Sequence, residues 1–252
     1  MKKSVSRPIQ TVRREMHWLW LTLMLFLSPS HAVSITPTVL TMDIQHQPQI
    51  IVTNNSNRHL PIEVSLWAID FHSIEGAASP YALSPVADEH VLVFPPAFML
   101  APQTSQSIRL LWQSEQQLSH SQSYFVRFSE PQLKVTNNQT DGVDVQLHYN
   151  ALVHITSNDQ RADLHVLEAS TSAHNLTLKV ENRGNRFAYL EDYQLRTAED
   201  EPILATPIEQ SLGNLFLPPQ SISHLTIPIT AVLNKTLRLE STTFAFTPKA
   251  ED

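Results

Sequence analysis

The chain has no cysteine and only four glycines among its 252 residues. Without cysteine there is no disulfide framework, no thiolate nucleophile and no thiolate metal ligand, so an exported chain of this size depends on burying apolar surface. The glycines, at positions 76, 142, 184 and 213, are too scattered for a phosphate-binding loop, and no Gly-x-Ser-x-Gly elbow occurs. These absences argue against an enzyme.

The twelve histidines are scattered and contain no His-Glu-x-x-His pattern. His148 and His154 lie six residues apart on one predicted strand, which separates them by about 20 Å at ~3.3 Å per residue. That distance is too long for two ligands of one metal ion. The sequence therefore predicts no metal and no cofactor, and we interpret the chain as a binding protein.

One uncharged apolar run, over residues 16–27, follows five basic residues near the N-terminus. The run is about a dozen residues long, whereas a membrane-spanning helix needs roughly 20. Small residues then suit a signal peptidase in Ser30-His31-Ala32. We predict that residues 1–32 are a cleaved signal peptide, that the mature protein is periplasmic in a Gram-negative bacterium, and that it is not inserted in the membrane. A retained anchor is the alternative.

Positive charge is scarce in the predicted mature chain. Removing residues 1–32 takes five basic and one acidic residue from totals of 17 and 24, which leaves 12 and 23 and a net charge of −11. Such a charge disfavours nucleic acid and anionic membrane surfaces as partners.

Apolar residues recur with a period of two, which predicts half-buried strands. In 61–70 the residues Ile62, Val64, Leu66 and Ala68 share one face, and 104–112 has the same pattern. Proline and asparagine clusters end the strands at intervals typical of a β-sandwich. The candidate strands are 49–53, 61–70, 90–94, 104–112, 123–128, 142–155, 164–169, 176–181, 187–195, 221–229 and 236–246.

The pattern of strands restarts after the polar segment 157–161. We therefore predict an all-β protein of two tandem β-sandwich domains, with the first domain at 33–157 and the second at 158–252. No segment of the predicted mature chain has the 3.6-residue period of a long amphipathic helix.

Four motifs of the first domain match a known binding module: Val91-Leu-Val-Phe-Pro-Pro96 followed by Leu100-Ala-Pro102, Ser105-Gln-Ser-Ile-Arg-Leu110, Ser123-Tyr-Phe-Val-Arg-Phe-Ser-Glu-Pro131, and the long strand from Val143. With them the chain resembles periplasmic pilus chaperones of the chaperone/usher pathway. The resemblance covers essentially the whole mature chain, strongly in the first domain and weakly in the second. It implies two immunoglobulin-like β-sandwich domains in a boomerang, or L-shaped, arrangement, with pilus or fimbrial subunits and an outer-membrane usher as partners.

The resemblance also implies a role for the start of the strand at 142–155. A pilus subunit lacks the last strand of its own fold, and the chaperone supplies one by β-strand addition. The positions assigned to this donor strand are Val143, Val145, Leu147 and Tyr149. The last strand of any sandwich shows the same alternation, so the ladder has an ordinary structural interpretation too.

One departure separates this chain from the best-known pilus chaperones, which hold the subunit's terminal carboxylate with two basic residues. Here 34–40 contains no arginine or lysine, and Leu152 stands where the second basic residue is expected. Arg127, His154 and Arg161 are the candidate replacements, because all three are near the domain junction. Alternatively, Arg127 faces solvent, His154 is a hydrogen-bonded edge histidine, and Arg161 pairs with a nearby aspartate. The missing pair predicts a divergent branch, closer to archaic or alternate pilus systems.

Two functions follow from these expectations. The first is an ATP-independent chaperone of pilus assembly; the sequence leaves open whether the free protein self-associates by covering its donor strand. The alternative is a structural or adhesive β-sandwich component of a surface fibre. A fibre subunit is expected to lack its own closing strand, which favours the chaperone.

Overall fold

The computed structural model describes residues 33–43, 47–71, 81–86, 90–113, 118–131, 147–197, 202–204, 210, 215–232 and 243–249. The predicted signal peptide and the donor-strand positions Val143 and Val145 lie outside these residues.

Strands account for most of the described secondary structure. Up to residue 156 they are β1 Val33–Thr36, β2 Val39–Asp43, β3 Gln49–Asn54, β4 Leu60–Asp70, β5 Ala82–Pro85, β6 Val91–Phe94, β7 Ala97–Leu100, β8 Ser105–Trp112, β9 Gln122–Ser129 and β10 His148–Thr156. In the second half they are β11 Leu164–Thr171, β12 Asn175–Asn182, β13 Ala188–Tyr189, β14 Tyr193–Thr197, β15 Phe216–Leu217, β16 Ser221–Pro228 and β17 Phe244–Pro248. Single 3₁₀ turns occur at Leu190–Asp192 and Ile229–Ala231.

The first domain is built from two sheets. One has the strand order β1-β3-β8-β6, and the other has the order β2-β10-β9-β4-β5 with β7 also paired to β4. The chain changes sheets between β1 and β2, so that β2 pairs with β10 in parallel while the other pairs are antiparallel. Alternate residues of both sheets enclose one apolar core, as the period of two predicts. Its fully buried members include Met42, Ile50, Leu60, Ile108, Leu110, Phe128 and Ile155.

The second domain has its own core. Its sheets are β11-β12-β16, β13-β15 and β14-β17, and their buried apolar side chains form a second cluster that includes Leu176, Leu178, Leu190, Ile203, Leu217 and Ile227. The first cluster ends at Ile155 and the second begins at Leu164. The domain boundary after residue 157 stays a prediction.

The prediction of one strand over residues 187–195 was wrong. The segment is interrupted by the 3₁₀ turn Leu190–Asp192, and its two ends belong to different sheets, because β13 pairs with β15 and β14 pairs with β17. The buried residues explain the break: Ala188 and Leu190 are two positions apart, whereas Leu195 follows after five. An odd interval cannot keep all three side chains on one face of a continuous strand.

Both domains close one end of the sandwich with a buried asparagine. Asn54, at the end of β3, donates through Nδ2 to the carbonyls of Arg58, Leu100 and Ala101. Asn182, at the end of β12, donates in the same way to the carbonyls of Arg186, Leu217 and Pro218. In each domain a glutamine with left-handed backbone geometry comes shortly after the accepting carbonyls: φ is 55° at Gln103 and 53° at Gln220. The sequences around them, Leu-Ala-Pro-Gln and Leu-Pro-Pro-Gln, are an internal repeat that the strand pattern does not reveal.

Candidate functional site

The apolar face of β10 leaves its own core toward the N-terminal end of the strand. Ala151, Val153 and Ile155 are at most 1% exposed and belong to the first core. Tyr149 is partly buried and packs against the same core. Leu147, the next position of this parity, is 59% exposed. The ladder therefore continues beyond the point where its own domain covers it.

The same part of β10 has an open backbone edge. β10 pairs with β9 from His148 to Ile155, but it pairs with β2 only from Leu152 to Thr156. The Leu152 amide donates to the carbonyl of Thr38 at 2.8 Å, so the edge of β10 is covered by the β2 segment from Leu152 onward. Among the described residues, 148–151 thus have a strand on one side only. An open edge next to an exposed apolar position is the geometry that strand addition requires.

Arg127 lies on the outer face of β9. Its guanidinium stacks over the Trp67 ring at 4.2 Å from the centroid, and its Nε donates to Asn150 Oδ1 at 3.2 Å. No carboxylate forms an ion pair with this side chain in the described part of the chain. A half-buried guanidinium held by an aromatic ring keeps most of its N–H donors for an external acceptor.

His154 occupies the junction between the domains. Nδ1 lies 2.7 Å from Ser123 Oγ and Nε2 lies 2.8 Å from the Tyr189 hydroxyl. The ring stacks on Phe216 at 4.8 Å and packs against Phe187 at 4.4 Å between centroids. Burial lowers the pKa of His154 to about 4. The ring is therefore neutral at pH 7 and has both nitrogens engaged, which does not suit a carboxylate anchor.

Arg161 turns back on its own loop. Its Nη1 donates to the carbonyls of Asn158 and Gln160 at 2.6 and 2.7 Å, and its backbone amide donates to Asn185 Oδ1 at 2.8 Å. It pairs with neither neighbouring aspartate: Asp159 bonds to Ser157, and Asp163 pairs with His165. These contacts indicate that Arg161 stabilises the conformation of the linker, the polar segment 157–161 between the two domains.

The three candidate anchors do not form one site. Arg127 is aligned with Asn150 across β9 and β10, and His154 is aligned with Ser123. Four residues separate the two positions on each strand, which is about 13 Å at ~3.3 Å per residue.

Several residues at the junction were not predicted from the sequence. Trp67 and Asn150 hold Arg127, while Phe187, Tyr189 and Phe216 surround His154. A signal for Trp67 did exist: the residues on either side of it face the core, so this tryptophan has to face outward. The aromatic residues of the second domain carry no such signal, because their partners are in the other domain.

Two features are absent from the described residues. No group of three or more metal-ligating side chains comes together there. The part of the chain that the structure describes also contains no helix with the length and hydropathy needed to cross a membrane.

The fold is similar to those in solved structures of fimbrial chaperones. A chain in a chaperone–tip adhesin complex of CFA/I fimbriae biogenesis superposes with a TM-score of 0.53 and 15% identity, over 87% of this chain and 100% of that one. The class 5 fimbriae chaperone CfaA gives 0.49 and 15%, over 87% and 99%. A chain in the CsuC–CsuE chaperone–tip adhesion subunit complex of archaic Csu pili from Acinetobacter baumannii gives 0.47 and 12%, over 79% and 89%.

No protein-family model and no curated protein matches the chain. The likeness to the CFA/I complex chain confirms the predicted fold class, an all-β chain of two immunoglobulin-like domains. At 15% identity this similarity is evidence for the fold only.

Proposed function

We propose that the protein is a periplasmic chaperone that binds pilus or fimbrial subunits by donor-strand complementation and delivers them to an outer-membrane usher. The observation that supports this most is the start of β10, where Leu147 is exposed and residues 148–151 have an open edge. The edge offers backbone hydrogen bonds, and the apolar ladder offers side chains for an unfinished core.

The driving force is the burial of apolar surface. Each fully buried side chain of this size contributes about 1.5–3 kcal/mol. In the proposed complex Val143, Val145 and Leu147 supply this apolar contribution, while Tyr149 already packs against the protein's own core. Release needs only a replacement strand from the next subunit. The proposed cycle therefore uses no nucleotide and no catalytic residue, and the protein is not an enzyme.

The alternative of a fibre subunit is less consistent with the first domain. β10 is in place between β9 and β2, and Ala151, Val153 and Ile155 complete the core. A domain that contains its own closing strand has no groove for a neighbour's strand. It can instead pair the open edge of that strand with a partner.

Arg127 is our choice of anchor for a partner's carboxylate. Among the described residues only its Nε already donates to a protein group, whereas His154 has both ring nitrogens bonded and Arg161 bonds to its own loop. A planar guanidinium matches a carboxylate with two parallel hydrogen bonds. Its support on Trp67 and Asn150 reduces the entropy lost on binding.

The donor strand is tested with Leu147→Asp, co-expressed with a candidate pilus subunit. We expect at least a tenfold loss of the 1:1 complex while the free protein stays folded, since this side chain is not in the core. Met99→Asp is the matched control, because Met99 is 63% exposed and lies on β7 away from the open edge. Equal complex formation by both variants would refute the proposal.

The anchor is tested in the same complex with Arg127→Ala and Arg127→Lys. We expect Arg127→Ala to weaken binding about tenfold or more, and lysine to restore only part, because an ammonium group cannot form the bidentate pair. Arg109→Ala is the control, since Arg109 is exposed on the other sheet. Extending the subunit by one C-terminal residue moves its terminal carboxylate away from Arg127. We expect this extension to cause no further loss of affinity when Arg127 is already alanine. Additive losses would contradict the assignment.

A further inference from the structure

His154 is buried by the second domain and not by its own. On β10 it has the same parity as Asn150 and Leu152, which point away from the first core, whereas Val153 and Ile155 on either side of it belong to that core. The side chain of His154 is nevertheless 0% exposed. The outer face of a sheet leaves such a ring in water, so the burial of His154 depends on how the two domains pack.

Three aromatic rings of the second domain cover the imidazole. Phe216 stacks on it at 4.8 Å with an interplanar angle of 14°, Phe187 lies at 4.4 Å between centroids, and the Tyr189 hydroxyl is 2.8 Å from Nε2. On the side of the first domain, Ser123 Oγ lies 2.7 Å from Nδ1. None of the three covering rings is a member of either apolar core cluster. Parting the domains therefore uncovers His154 and leaves both cores intact.

No charge offsets the loss of water around the ring. Among the described residues no carboxylate bonds to His154, and burial lowers the pKa of the ring to about 4. Burial and two nearby carboxylates raise the pKa of Tyr189, which stays neutral below pH 7.5. The charged and titratable groups on the elements packed around the ring are Asp43 on β2, Asp70 on β4, His120 before β9, and Arg186, Tyr189, Glu191 and Asp192 of the second domain.

Protonation of His154 favours an open state, in which the domains have parted, over the closed state that the structure shows. In the closed state the pKa of the ring is about 4, whereas an imidazole in water has its ordinary value of 6.5. The ratio of open to closed protein therefore rises as pH falls below 6.5 and levels off below about pH 4. Between about pH 7.5 and 4.5 the two values give a rise of roughly 70-fold.

We infer that His154 makes the junction an acid-sensitive hinge, in which protonation of the ring parts the two domains while each of them stays folded. The inference goes beyond the proposed function, since it concerns the free protein and involves no partner. It assigns the aromatic cover a second property besides holding the domains together: the cover tolerates only a neutral imidazole.

Native-state hydrogen exchange, followed by NMR, tests the hinge. The amides of Ser121 and Phe187 donate across the junction, at 2.8 Å to the Asn185 carbonyl and at 2.9 Å to Ser121 Oγ, so their protection reports on opening. After correction for intrinsic rates, we expect the protection of both amides to fall roughly 70-fold between about pH 7.5 and 4.5. Adding about 1 M urea should change it less than about twofold, because parting exposes little surface, whereas the protection of Val126 and Leu178 in the two cores should decrease.

His154→Gln removes the titrating ring, so the protection of the junction amides should be the same at both pH values. His120→Gln is the matched control, because His120 lies next to Ser121 but bonds to Ser119 and is not one of the rings at the aromatic cover; this variant should keep the acid effect. Junction and core amides that exchange together, with equal dependence on urea, would overturn the inference, since the ring is then exposed only by unfolding. An acid effect that persists in His154→Gln would overturn it too. Either result leaves the proposed function standing, because that function is tested by the subunit complex.

Discussion

His154 Nε2 lies 2.8 Å from the hydroxyl oxygen of Tyr189, and this hydrogen bond joins the two domains. The bond is one of several across the junction, since the Ser121 amide donates to the carbonyl of Asn185 at 2.8 Å and Ser121 Oγ accepts from the Phe187 amide at 2.9 Å. The histidine differs from these groups because it can titrate. Its neutral ring is what the buried site accommodates.

Acid should weaken the protein through His154. The pKa of this ring is about 4 in the folded protein, against an ordinary value of 6.5, because burial disfavours the charged form. As pH falls below 6.5 the unfolded chain takes up the proton first, so stability decreases by about 1.4 kcal/mol per pH unit until pH reaches about 4. Above pH 6.5 the group contributes no pH dependence. Tyr189, the titratable group in contact with the ring, stays neutral in this range because burial raises its pKa.

Urea denaturation at several pH values between 7.5 and 4.5 measures this effect. His154→Gln should be less stable at pH 7.5 and should depend less on pH, because the titrating ring is gone. The difference in unfolding free energy between the two proteins therefore narrows as pH falls. Parallel curves for both proteins would show that His154 is not the group responsible.

Gly184 is required for the path of the linker. A Cβ at this position would lie 2.2 Å from the carbonyl oxygen of Arg161 and 2.6 Å from the amide nitrogen of Asp163. Both are backbone atoms, so a rotamer change cannot relieve the clash. We expect Gly184→Ala to destabilise the protein by about 2 kcal/mol or more. Urea denaturation gives the loss, and small-angle scattering reports whether the domains move; an unchanged midpoint would contradict the close approach.

The two corner asparagines should each matter for their own domain. Asn54→Ala and Asn182→Ala each leave buried carbonyls without a donor. We expect each substitution to lower the free energy of unfolding by about 2–4 kcal/mol. Aspartate should be no better than alanine, because an ionised carboxylate cannot donate. Hydrogen exchange should show the loss of protection mainly in β3 and β8 for Asn54 and in β12 and β16 for Asn182. Equal loss in both domains would show that the corners do not act separately.

Much of the fold follows from alternation along the chain. Apolar and polar residues alternate clearly along the strands that were predicted within a residue or two, because one face of each strand is turned toward a core; these strands include β3, β4, β8, β9, β11 and β12. Alternation failed at 187–195, where the chain passes between two sheets, and it did not reveal short strands such as β5, β7 and β15. Their residues are held by neighbours distant in sequence, so the segment itself carries too little pattern.

The candidate site was predictable only in part. Leu147 was assigned to the donor strand from the resemblance, and the structure shows it 59% exposed; its donor role stays a prediction, as do those of Val143 and Val145, which lie outside the described residues. Arg127, His154 and Arg161 were chosen because they are near the domain junction in sequence. Proximity in sequence does not tell which donors are already bonded. Among the described residues Arg127 donates only through Nε, whereas both ring nitrogens of His154 are bonded and the Arg161 side chain bonds to its own loop.

The sequence alone determined the β class, the restart of the pattern in a second domain and the apolar ladder, because each depends on the period of a local segment. Tertiary structure decided where that ladder leaves its core and which ring sits between the domains. Those features depend on register between strands, and register is set by packing of segments far apart in the chain.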